Sequence, residues 1–206
     1  MLRSASIVII AFSAAASAQE TSLPLDVSPT ETYLGENLVI TTRPVDRTAT
    51  YRYGATRLST TGAVIGTVTC SESVALNGSG ASIKWTPPKS GTYQITIAPG
   101  GRVDPSKPQP SGSASVKILP QRVTIEVIKQ PGKITTTVLG SSHPNARYKW
   151  SLQVLKPPPA LLQTLFMETS TPAAIWQTTG INPLVRVDVF LGGECGLIAS
   201  GIRQSI

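Results

Sequence analysis

Apolar side chains recur at every second position in short runs along most of the chain, and glycine, proline or serine closes each run. In residues 92–97, Tyr93, Ile95 and Ile97 alternate with Gln94 and Thr96, the period-two signature of a strand with one dry and one wet face. Residues 37–42, 63–68 and 82–85 are also short and rich in β-branched or aromatic side chains, which suit a pleated surface. The same alternation turns Tyr51 and Tyr53 inward and leaves Arg52 in solvent. Asn77-Gly78 reads as a hairpin turn, because both residues tolerate the positive φ of a tight reversal. Helical stretches with spaced Leu, Ala, Glu and Lys are essentially absent. The pattern predicts an all-β chain built of sandwiches.

The first residues follow a different logic. Arg3, an apolar run from Ile7 through Phe12 into alanines, and Ala16-Ser17-Ala18 have the order of a secretory leader. Residues 1–18 are therefore expected to be a signal peptide cut between Ala18 and Gln19. The apolar run at 4–18 is shorter than the about 20 residues needed to cross a bilayer. No later segment is long and apolar enough to span, so the processed chain is expected to be exported to the periplasm or cell surface without a membrane span.

Residues 99–113 are too rich in proline and glycine for a sheet interior. They read as a linker or as a long hairpin loop; the loop is preferred, with 114–119 returning as the last strand of a first domain. A domain at 19–120 and a second at 121–206 follow. The second echoes the first: residues 49–54 and 146–151 both alternate aromatic with basic side chains, and residues 81–86 and 93–97 find counterparts at 173–177 and 184–189. The expected architecture is two Ig-like β-sandwich domains in tandem.

Trp85-Thr86-Pro87-Pro88-Lys89-Ser90-Gly91-Thr92-Tyr93 and the strand after it resemble the ending of bacterial extracellular Ig-like and PKD-like domains. Residues 33–40 resemble their opening strand after a glycine turn. The resemblance covers roughly residues 22–119 and extends faintly over 121–206. It implies a spacer, adhesion element or binding module without catalytic residues. Three departures stand out: there is no Cys-Trp-Cys core arrangement, the proline-rich stretch at 99–113 is unusual, and Pro157-Pro158-Pro159 interrupts the second half.

Composition adds little that is specific. The net charge of +7 is scattered without a basic stripe, so nucleic-acid recognition is not expected. The two cysteines, Cys70 and Cys195, are disulfide candidates in an exported protein, but sequence leaves the bridge open beside free thiols or pairing with another chain. With the single histidine they make a poor metal inventory, and no metal or cofactor is expected. His143 reads as a surface loop residue; a hydrolase triad with Ser141 or Ser142 and Asp188 is the minor alternative.

Trp85, Trp150 and Trp176 each sit in an apparent strand, so core packing is their ordinary reading. The functional alternative is an exposed platform for a glycan or protein partner, assisted by Arg52, Arg147 and Lys149. Leu161, Leu162, Leu165, Phe166 and Met167 read either as another core strand or as an exposed hydrophobic element that docks a partner. The expected function is a non-catalytic binding or structural protein of the envelope or surface. Its partner would be another protein recognised through loops or a sheet edge, with self-association included. A carbohydrate-binding module is the alternative, and a small secreted hydrolase a more distant one.

Overall fold

The computed structural model describes residues 22–43, 50–62, 64, 66–101, 110–140, 143–156 and 161–205. The leader, Ser141, Ser142 and the triple proline lie outside the described residues.

The first half contains β1 (Leu25–Ser28), β2 (Glu31–Tyr33), β3 (Leu38–Thr42), β4 (Tyr51–Gly62), β5 (Gly66–Leu76), β6 (Ser82–Trp85), β7 (Gly91–Pro99) and β8 (Gly112–Leu119). They form a three-stranded sheet, β1-β3-β6, and a five-stranded sheet, β2-β8-β7-β4-β5. The second half contains β9 (Gln121–Arg122), β10 (Thr124–Gln130), β11 (Lys133–Leu139), β12 (Ala146–Lys156), β13 (Leu161–Thr169), β14 (Ala173–Gln177), β15 (Ile181–Leu191) and β16 (Leu197–Gln204). These again form a three-stranded sheet, β10-β11-β14, and a five-stranded one, β13-β12-β15-β16-β9.

The two halves have one strand plan. In each, a three-stranded antiparallel sheet packs over a five-stranded sheet that has one parallel pair at an edge, β2 with β8 and β9 with β16. The chain is thus all-β, two Ig-like sandwiches in tandem, and the sequence echo falls on equivalent strands: β4 and β12, β6 and β14, β7 and β15.

Each sandwich has its own core. Leu38, Ile40, Tyr51, Tyr53, Tyr93, Ile95 and Ile97 anchor the first; Tyr148, Trp150, Leu152, Trp176, Val185, Val187 and Val189 anchor the second. Alternation is the cause in both. Tyr53 sits between Leu76 and Ile97 in register, all three facing inward, while the next row, Gly54, Ala75 and Thr96, faces out.

Three local expectations change. Residues 63–68 do not form one strand: Gly62 is in register with Gly66 and Val64 lies in the turn between β4 and β5. Gly66, at φ 75°, supplies a left-handed conformation there. Asn77-Gly78 is not a hairpin turn either, because β5 and β6 belong to different sheets and the segment crosses between them. Its local preference for reversal yields to the core, which draws Leu76 and Ile83 inward from opposite sheets. Finally, residues 161–167 belong to a strand, but one at the sheet edge with its outer face exposed. The proline-rich stretch at 99–113 joins β7 to β8, which are antiparallel neighbours.

Candidate functional site

Two regions combine features that the cores do not explain: the junction between the sandwiches and the edge strand β13.

The β4–β5 hairpin carries the junction. Cys70 on β5 is bonded to Cys195, which lies in a short 3-10 turn at Glu194–Gly196 between β15 and β16. A Cβ at Gly196 would overlap the backbone carbonyl of Leu191, so the turn is folded tightly onto the end of β15. Arg57, only 1% exposed, donates from Nη1 to the Cys195 carbonyl at 2.6 Å and from Nη2 to Glu72 at 2.9 Å. Ser90 Oγ donates to the Leu197 carbonyl at 2.6 Å, and the Val64 amide donates to Asp188 Oδ2 at 2.5 Å. Phe190 and Leu197 are fully buried but belong to neither sandwich core. The contact therefore has an apolar centre, a covalent bond and buried hydrogen bonds.

Charge is compensated around this contact. Lys89 Nζ lies 3.0 Å from Glu72 Oε2. That hydrogen bond, with the Lys89 and Arg57 charges behind it, holds the Glu72 carboxyl below its usual range against a smaller opposing effect of burial. Tyr93 donates its hydroxyl to the Lys89 carbonyl at 2.8 Å, and burial pushes its pKa up to about 12.

β13 pairs only with β12 and ends the five-stranded sheet. Its residues divide by parity. Leu165 and Met167 pack against the core beside Leu152 and Trp150, while Leu162 and Phe166 point outward at 65% and 69% exposure. Leu161 at the strand's start is 62% exposed. Across the outer face, Leu162 is in register with Leu155 and Leu155 with Ile181; Phe166, Ser151, Arg186 and Ile202 form another row. A bulge on β15 between these rows, where Asn182 adopts φ 51°, brings the exposed Ile181 onto the same face. Ser151, between Phe166 and Arg186 in that row, is buried, so the exposed apolar side chains concentrate along β13 itself, and clusters of this kind mark interaction surfaces.

The residues singled out from sequence are dispersed. Trp150 and Trp176 are core side chains and form no exposed platform: Trp150 Nε1 donates to Thr169 Oγ1 at 3.0 Å and Trp176 Nε1 to Thr136 Oγ1 at 3.2 Å. Burial of each indole with its N–H satisfied is the physical reason. Trp85 is half-buried and meets Tyr93 edge-on, with centroids 5.1 Å apart. Arg52 is exposed, with Nε donating to the Pro99 carbonyl at 3.3 Å. Arg147 and Lys149 do lie beside β13. Arg147 pairs with Glu168 at 3.2 Å, and Lys149 engages Glu168 and Glu194 and sits over the Phe190 ring at 5.9 Å.

His143 is an exposed turn residue, whereas Asp188 is buried and accepts the Val64 amide. Among the described residues no group of three or more His, Cys, Asp or Glu is placed to hold a metal ion. No described helix is long and apolar enough to cross a membrane.

Sequence reasoning missed Arg57, Ser90 and Asp188 at the junction. The core-strand and exposed readings of Leu161, Leu162, Leu165, Phe166 and Met167 divide between the two faces of β13: Leu165 and Met167 face the core, Leu162 and Phe166 are exposed.

No protein-family model matches the chain, and no curated relative matches its sequence. Solved structures of similar plan include a two fibronectin type-III domain segment from chicken tenascin, 14% identical with a TM-score of 0.45, covering 88% of this chain and 98% of that one. The chicken CNTN1 FN1–FN3 domains are 14% identical with a TM-score of 0.28, over 89% of this chain and 66% of that one. The CD2-binding domain of CD58 is 9% identical with a TM-score of 0.32, over 85% and 96%. The fold assignment rests on the strand order and packing described above.

Proposed function

We propose that the chain is an exported, non-catalytic binding or structural protein of the cell envelope or surface, which recognises a protein partner through the β13 edge. The observation that carries this reading is β13 itself: a long edge strand whose outer face exposes Leu162 and Phe166. A free strand edge offers backbone donors and acceptors to another strand, and alternate apolar side chains add selectivity. The disulfide supports an oxidising compartment and agrees with the expected leader. We place the two working units at 19–120 and 121–206, with Gln121 and Arg122 already paired into the second sandwich.

The test is a photoreactive side chain introduced at Phe166 in the producing cell, with Ser73 on the outer face of the first sandwich as the control site. A protein adduct of defined mass at position 166 and none at position 73 is expected. No adduct at 166, or equal adducts at both, overturns the reading.

A further inference from the structure

We propose that the occupant of the β13 edge is a second copy of this chain, paired antiparallel about a two-fold axis at Thr164. This rests on the preceding reading of β13 and names its partner.

The register follows from parity. Facing residues of an antiparallel pair share a sheet face, so a two-fold normal to the sheet keeps both outer faces on the same side. With the axis at Thr164, Leu162 lies opposite the partner subunit's Phe166, and Phe166 opposite the partner subunit's Leu162. On the other face, Leu161 meets the partner's Met167, and Gln163 meets the partner's Leu165. The two most exposed large apolar side chains among the described residues thus cover each other twice. An axis at Leu165 would instead set Leu162 against the partner's Glu168. The pattern selects Thr164.

Charge permits the pairing. The chain carries a net +7, yet residues 161–167 contain no charged side chain. Glu168, next along the strand, is already engaged by Arg147 and Lys149. Another long edge strand is charged: β10 carries Glu126 and Lys129. Charges on an edge are a common device against strand addition, and β13 lacks it where the pairing would occur.

The available apolar area fits weak, reversible pairing: Leu161, Leu162 and Phe166 expose on the order of 400 Å² per copy, about 800 Å² for two, at the low end of interface sizes. The contact is isologous and closes at two copies, joining the two five-stranded sheets edge to edge.

The test uses purified, oxidised, processed protein. Sedimentation over about 1–200 µM, the range matched to an interface of this size, is expected to show a monomer–dimer equilibrium. Replacing both Leu162→Lys and Phe166→Lys should weaken association about 100-fold while leaving thermal unfolding unchanged at concentrations where both proteins are monomeric, because both side chains are mostly in water. Because Cys70 and Cys195 are bonded to each other, Thr164→Cys adds a single free thiol, which should give a covalent dimer under mild oxidation. Ser73→Cys should not. A monomer throughout the range, a dimer indifferent to the lysine pair, or equal cross-linking at Ser73 overturns the proposal. If the protein is monomeric while the Phe166 photoadduct contains a different protein, self-pairing fails and the binding edge stands; a monomer without any adduct removes both.

Discussion

Arg57 reaches from one sandwich to the other: its Nη1 donates to the Cys195 carbonyl at 2.6 Å from an almost wholly buried side chain. The cysteine that accepts this hydrogen bond is also the one bonded to Cys70, so a covalent and a charged anchor end on one residue of the Glu194–Gly196 turn.

Replacing Arg57 with Met keeps the aliphatic stem and removes the anchor. The Cys195 carbonyl loses a charged donor in a buried setting, and unfolding stability should fall by about 2–4 kcal/mol. Glu72→Gln should cost less, about 1–2 kcal/mol: the carboxylate is 39% exposed and the amide oxygen still accepts, although the buried Arg57 guanidinium loses its counter-charge. Urea denaturation with the disulfide intact distinguishes the two; equal costs would move the weight of the junction from the carbonyl contact to the ion pair.

The Cys70–Cys195 bond closes a loop with a sequence separation of 125, and a double Cys→Ser variant should lose about 3–5 kcal/mol through the larger entropy of its unfolded chain. Guanidinium midpoints of the native and variant proteins measure this. Denatured, unreduced protein should show no reactive thiol; two would contradict the bridge.

Acid should weaken the same region. The Glu72 pKa is lowered in the folded state, so its stabilisation is present above the unfolded-state value of about 4.5 and is lost as pH falls through the lower folded value. Stability measured as pH falls from about 4.5 through the lower folded value should decline less steeply in Glu72→Gln. An unchanged slope would show that the Lys89 pairing contributes nothing.

Alkali acts on Tyr93 with the opposite sign. Its pKa rises from 10.0 to about 12 because the ring is buried, so its contribution is intact below 10.0 and disappears as pH climbs through about 12. Phenolate absorbance should show Tyr93 ionising only at about pH 12, above the usual tyrosine range. Tyr93→Phe should flatten the alkaline loss and cost about 1 kcal/mol at neutral pH, the worth of its hydrogen bond to the Lys89 carbonyl.

The cores were legible because alternation is a local property. Tyr51, Tyr53, Tyr93, Ile95 and Ile97 each point inward as their spacing requires. The equivalence of β4 with β12 was also visible, as two runs alternating aromatic and basic residues. Pairing was harder. Nothing local to Cys70 or Cys195 encodes that β5 and the turn before β16 approach each other. Asn77-Gly78 carries a genuine turn preference, yet which strands it joins is decided by distant apolar neighbours. Leu162 and Leu165 lie three apart and so on opposite faces of the strand, but which face meets the core is decided by the sheet opposite, which no local pattern encodes.

The disulfide also determines how the protein answers a mechanical load. Tension applied at the two ends of the described chain would reach Cys70 and Cys195 and pass directly through their bond, bypassing everything between them. At the extension of a stretched backbone, roughly 400–450 Å of contour length is withheld from pulling by that single bond, including the core strands β6 to β15. Only the segments outside the closed loop can pay out, so the molecule behaves under force as a short tether with a sealed body.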